Sequence, residues 1–152
     1  MREEIKKKRV LFLCTGNSCR SQLAEGLLRE LGRGEIEAES AGTNPTWINP
    51  IATRVMAEIG IDISGQRSKP VEEMMGKRFD YVITVCDRAR EACPVFPGIA
   101  NQLHWSFDDP AEAAGTEDER LTVFRRVRDQ IAAQITGFIN SAHDDERTIE
   151  AA

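Results

Sequence analysis

The sequence predicts an α/β fold, an open, mostly four-stranded parallel sheet with helices on both faces, and three observations lead there. The runs "RVLFLC" (9–14) and "YVITVC" (81–86) are continuous and rich in β-branched and aromatic residues, as strands buried on both faces are. Helix-like stretches alternate with the strand-like ones over short connections, the pattern of parallel βαβ units. With 152 residues, 41% of them hydrophobic and 30% charged, the chain is long enough for one core without disulfide or metal staples.

The first strand stops on Cys14, and a turn leads into "SQLAEGLLREL", where Leu23, Leu27, Leu28 and Leu31 recur at helical spacing before the "GRG" stop at 32–34. "EIEAES" is a weaker second strand that ends at "AGTNP". Residues 50–60 predict a second helix, with Pro50 at its start, Gly60 at its end and Ile51, Val55, Met56 and Ile59 on one face. "RSKPVEEMM" predicts a short helix, "YVITVC" the third strand and "QLHWSF" the fourth. In the last helix Leu121, Phe124, Val127, Ile131, Ile135 and Phe138 keep an apolar stripe over about five turns. The acidic segment "PAEAAGTEDERL" ahead of it reads as mobile, and the tail "HDDERTIEAA" carries no stripe. One domain over 1–152 is expected, frayed at 1–8 and at about 143–152.

A net charge of −5 argues against a general nucleic-acid binder, which needs a basic surplus to neutralise phosphates. The apolar runs fall far short of the roughly 20 residues that span a bilayer, and "MREEIKKKRV" leads into no cleavage site, so a cytoplasmic, non-membrane protein is expected. In that compartment four cysteines read as thiols with chemistry rather than as structural disulfides.

Ligands of open parallel sheets bind beyond the carboxyl ends of the strands, the edge at which Cys14 and Cys86 end their runs. Strand, tight turn and helix start also make an anion site, since loop N–H groups converge and the helix dipole favours negative charge. The loop Thr15, Gly16, Asn17, Ser18, Cys19, Arg20, Ser21 is therefore the expected oxyanion cradle, with Cys14 as a thiolate nucleophile at its mouth. Gly16 and Asn17 are residue types that accept left-handed backbone angles. Arg20 can grip two oxygens with its planar fork, and the Ser21 hydroxyl can stabilise the thiolate. Cys86 and Cys93 stand further apart than zinc-ligand pairs usually do, which disfavours a four-cysteine zinc site.

"CTGNSCRSQLAEG", "VITVCDRAREACPVFPG" and "HWSFDDPA" together resemble the arsenate reductases related to low-molecular-weight protein tyrosine phosphatases, especially the thioredoxin-coupled branch. The resemblance implies that Cys14 attacks arsenate, that Cys86 then attacks Cys14 and releases arsenite, and that Cys93 relays the disulfide outward to thioredoxin, a route of arsenic detoxification. It assigns the general acid to Asp109, directly before Pro110, and leaves Cys19 as a packing or accessory thiol. It also implies a potassium site at Asn17, Glu25 and Ser40. Arg67 and Lys69 stand where further oxygen ligands are expected, so no cofactor is expected and one of these two cations would replace the metal's charge. Two other functions use the same loop: a tyrosine phosphatase acting through a phosphocysteine, which needs no Cys86 or Cys93, and a non-catalytic anion-binding module, which needs neither these thiols nor Asp109. Nothing in the sequence demands more than a monomer.

Overall fold

The computed structural model describes residues 8–86 and 101–151, with side chains described to residue 141. In chain order the strands are β1 (Lys8–Cys14), β2 (Ile36–Gly42), β3 (Tyr81–Thr84) and β4 (Asn101–His104), and the helices are α1 (Arg20–Leu31), α2 (Pro50–Ala57) and α3 (Glu117–Ala151). The four strands form one sheet in the order β2-β1-β3-β4, every pair parallel. Val10, Leu11, Phe12 and Leu13 point alternately to opposite faces and are all 0% exposed, so both faces of β1 are covered. α1, α2 and α3 pack against one another, with Leu23, Leu27, Val55, Phe124 and Ile131 in their shared core. No helix among the described residues is long and apolar enough to cross a membrane.

Local chemistry explains the element ends. Asn49 caps α2 by accepting the Ile51 N–H at 2.9 Å, and Pro50 occupies the first turn, where a missing N–H costs nothing. α2 is shorter than expected: it closes at Ala57 and turns through Gly60 at φ 79°, which leaves Ile59 off the buried face and exposed. "RSKPVEEMM" is not a helix beyond a 3₁₀ turn at Val71–Met74. The Lys69 N–H goes to the Asn17 side chain at 2.8 Å and its carbonyl to the Gly42 N–H at 2.8 Å, so residues ahead of Pro70 stay extended.

"QLHWSF" pairs as a strand only to His104, because β3 ends at Thr84, whose carbonyl accepts the Trp105 N–H at 2.8 Å. The stretch expected to be mobile is structured: Pro110–Glu112 make a 3₁₀ turn, and Thr116 opens α3 by accepting the Glu119 N–H at 3.1 Å. At the chain's ends, Lys8 already belongs to β1, and the tail continues the helical backbone to Ala151, its Glu, Arg and Ala residues being good helix formers without a stripe to bury.

Candidate active site

β1 runs to its last residue on Cys14 and releases the chain into the loop 15–19 before α1 begins at Arg20. Cys14 is 3% exposed. Its sulfur lies 2.8 Å from Ser21 Oγ and receives the Asn17 N–H at 3.2 Å. Asn17 takes the left-handed conformation expected of it, φ 48°, whereas Gly16 does not. The glycine that the loop requires is Gly42, opposite Cys14 on β2, where a Cβ would stand 2.5 Å from the Thr15 carbonyl oxygen.

A strap at 43–49 orients the loop. The N–H groups of Thr43, Asn44, Thr46 and Asn49 bond the carbonyls of Cys14, Thr15, Gly16 and Ser18 at 2.8–3.2 Å. In a trans peptide the next N–H points opposite to the carbonyl, so Thr15, Gly16, Asn17 and Cys19 turn their N–H groups away from the strap. The Asn17 bond to Cys14 marks that direction, the side on which an oxyanion could meet these donors.

The cleft in front of the loop has a volume of about 490 Å³. Cys14, Cys19, Arg20, Cys86 and Asp109 all line it. Arg20 donates to the Phe107 carbonyl at 3.1 Å and stands 3.5 Å from Asp109 Oδ2, while Asp109 Oδ1 accepts the Ala111 N–H at 3.0 Å. Asp108 instead points out toward Arg126. Cys86 lies two residues past the end of β3, buried, with Thr15 Oγ1 3.4 Å from its sulfur. β1 and β3 are adjacent, and the strands that follow each of them in the chain, β2 and β4, lie at opposite edges of the sheet, so Cys14 and Cys86 share a cleft at the topological switch. Cys93 lies outside the described residues.

Burial works against the Cys14 thiolate that the sequence suggests. Burial pushes Cys14 above its ordinary value, against the opposing pull of Ser21 and Arg20, and it pushes Cys19 to about 12. A thiol whose native pKa exceeds its unfolded value keeps its proton in the fold, so its contribution to stability is lost as pH rises. The melting temperature is expected to fall between pH 9.0 and about 12, and to fall less steeply in Cys19→Ala. Equal slopes in thermal unfolding of the two proteins would refute this.

A family model for low molecular weight phosphotyrosine protein phosphatase matches residues 9–148. The chain belongs to this family. Among its relatives, an arsenate reductase of Halalkalibacterium halodurans is 47% identical over 87% of this chain and 95% of its own length. A solved arsenate reductase in a phosphate-binding state superposes with a TM-score of 0.72 at 37% identity, covering 88% of this chain and 98% of the other. A thioredoxin-dependent arsenate reductase of Corynebacterium glutamicum gives 0.72 at 28% identity over 91% of this chain and 63% of the other.

The potassium ion implied for members of this family does not fit the donor set here. Because the Lys69 N–H occupies Asn17 Oδ1, the amide nitrogen of Asn17 faces inward and donates to Ser21 Oγ at 2.8 Å and Ser40 Oγ at 2.9 Å. Ser40 donates on to Glu25 Oε1 at 2.7 Å, Arg29 reaches Glu25 Oε2 at 2.7 Å, and Lys69 Nζ stands 3.5 Å from Glu25 Oε1. Of the two candidate cations only Lys69 points here. Arg67 is 65% exposed in its side chain and pairs with Glu73. Sequence reasoning missed Gln22, whose side-chain amide donates to the carbonyls of Asn17 and Arg67, both at 3.0 Å, and Gln66, which bonds Gln22. Neither glutamine belongs to a recognisable spacing, so only the fold reveals that they tie the loop to the segment at 66–67.

Proposed function

We propose that this protein is a monomeric, cytoplasmic, single-domain arsenate reductase using a relay of Cys14, Cys86 and Cys93 that thioredoxin regenerates. The observation that carries the reading is a second buried thiol, Cys86, in the same cleft as Cys14, Arg20 and Asp109, since ester cleavage has no use for it. The arsenate reductase relatives support the reaction, and the thioredoxin-dependent neighbour supports the reductant.

The oxyanion sits against the loop N–H groups and the Arg20 fork, which together offset its charge in a buried site. Cys14 gives its proton to an oxygen of the bound arsenate dianion, its sulfur attacks arsenic, and Asp109 protonates the leaving oxygen so that it departs as water. Cys86 thiolate then attacks Cys14 sulfur. The S–As electron pair passes to arsenic, which leaves as arsenite, and a Cys14–Cys86 disulfide remains. Cys93 attacks Cys86, returning Cys14 as thiolate, and thioredoxin's dithiol reduces the resulting Cys86–Cys93 disulfide. Two electrons reach arsenic for each disulfide formed, and no metal or organic cofactor takes part.

The test is to expose the reduced protein to arsenate without reductant, quench with acid and map the thiols by mass spectrometry. One arsenite per protein and a Cys86–Cys93 disulfide are expected. Recovery of all thiols free, with arsenate unconsumed and an aryl phosphate still hydrolysed, would replace this reading with the phosphocysteine phosphatase.

A further inference from the structure

We propose that Gln22 is a positioning residue for the nucleophile loop: its side-chain amide holds the Asn17–Ser18 peptide so that the Ser18 N–H faces the cleft as a donor to the bound oxyanion. This rests on the reading of the loop as an oxyanion cradle, but not on arsenate as the substrate.

The carbonyls of Cys14, Thr15, Gly16 and Ser18 each accept a backbone N–H of the strap. Among the described residues, the Asn17 carbonyl takes no strap N–H and accepts Gln22 Nε2 at 3.0 Å instead. That exception falls on the most demanding residue of the loop. Asn17 stands at φ 48°, a left-handed conformation that L-residues adopt at a cost and keep only where their surroundings hold them. Its N–H is fixed on Cys14 sulfur and its side-chain oxygen on the Lys69 N–H, so the bond from Gln22 is the hold on its carbonyl side. In a trans peptide the Ser18 N–H points opposite to the Asn17 carbonyl. Ser18 lines the cleft, and a carbonyl anchored on Gln22, which is 0% exposed, turns this N–H toward the oxyanion side.

The Gln22 amide is committed in one orientation. Both hydrogens of Nε2 go to carbonyls, those of Asn17 and Arg67 at 3.0 Å each, and because a carbonyl can only accept, the nitrogen must face them. Gln22 Oε1 accepts Gln66 Nε2 at 2.7 Å, and Gln66 also donates to the Gln22 carbonyl at 3.1 Å. The same segment brings Ser68 Oγ to the Gly16 carbonyl at 3.1 Å and the Lys69 N–H to Asn17 Oδ1 at 2.8 Å, so 66–69 is a second support for the loop, and Gln22 joins α1 to it. Without the Gln22 donor the Asn17 carbonyl is left buried and unpaired, and any rotation of its peptide toward another donor carries the Ser18 N–H out of the cleft.

Wild type and Gln22→Met, which keeps a long helix-forming side chain without its donors, are titrated with inorganic phosphate at constant pH and ionic strength. The readout is the backbone amide resonances of Thr15, Gly16 and Ser18 by NMR, with melting temperature as a check on folding. In wild type all three are expected to shift saturably. In Gln22→Met the Ser18 shift should be lost while Thr15 and Gly16, whose peptides the strap holds, still respond, and the phosphate Kd should rise about tenfold, as loss of one hydrogen bond to a charged group would give. An unchanged Ser18 shift in folded Gln22→Met would overturn the proposal, as would equal loss at all three amides, which would make Gln22 a general packing residue. If Gln22→Met does not fold, Gln66→Ala at its half-buried position decides in its place: it removes the donor to Gln22 Oε1, so the Ser18 shift should shrink relative to the other two, and an unchanged one overturns the proposal. Absence of any shift in wild type would refute the cradle and this role with it. Selective loss at Ser18 in a protein that never reduces arsenate would support the role of Gln22 and count against the arsenate reading alone.

Discussion

Cys86→Ser is expected to produce no arsenite above background under multiple turnover with thioredoxin, yet to hydrolyse an aryl phosphate at a rate within a few-fold of wild type. A serine hydroxyl fills nearly the same buried volume next to Thr15, so the cleft and the fold persist. It cannot form a disulfide, and without attack on Cys14 sulfur the electron pair of the S–As bond has no route to arsenic. Cys14→Ser, measured alongside, should lose both activities, because each begins with that sulfur. Equal loss of both activities in Cys86→Ser would mean that Cys86 supports the cleft rather than the electron transfer. Normal arsenate turnover in Cys86→Ser would end the relay mechanism.

Arg20→Lys should lower kcat/KM for arsenate by about 10²- to 10³-fold, as removal of an oxyanion donor does elsewhere. The charge survives in lysine but the planar fork does not, and with it goes paired contact to two oxygens. In this protein the guanidinium also carries the acid loop, bonding the Phe107 carbonyl and standing beside Asp109. The variant should therefore bind phosphate more weakly as a competitive inhibitor and also lose kcat. A loss no larger than that from an exposed ion pair, about 1 kcal/mol, would show that the loop N–H groups alone hold the oxyanion.

Much of the fold was legible because it rests on short-range patterns. The runs ending at Cys14 and Cys86 announce buried parallel strands, and the stripe from Leu121 to Phe138 announces α3. The failures have a common cause. "RSKPVEEMM" has local helical character, but its leading residues are held extended by Asn17 and Gly42, partners 52 and 27 residues away. α2 and β4 stop early for equally external or single-residue reasons, a left-handed Gly60 and the end of β3.

The same division runs through the site. "CTGNSCRS" by itself marked Cys14 as the candidate nucleophile, a candidate oxyanion loop and Arg20, since the loop and its strand and helix lie close together in the chain. Tertiary structure decided the rest. Strand order placed Cys86 beside Cys14, the 43–49 strap aimed the loop N–H groups, and Arg20 drew in Asp109 rather than Asp108. It also turned Lys69 rather than Arg67 toward Glu25, and buried Cys14 so that its pKa is pushed up where loop chemistry alone would lower it. Burial and the direction of each hydrogen bond depend on segments distant in sequence, and no local pattern encodes them.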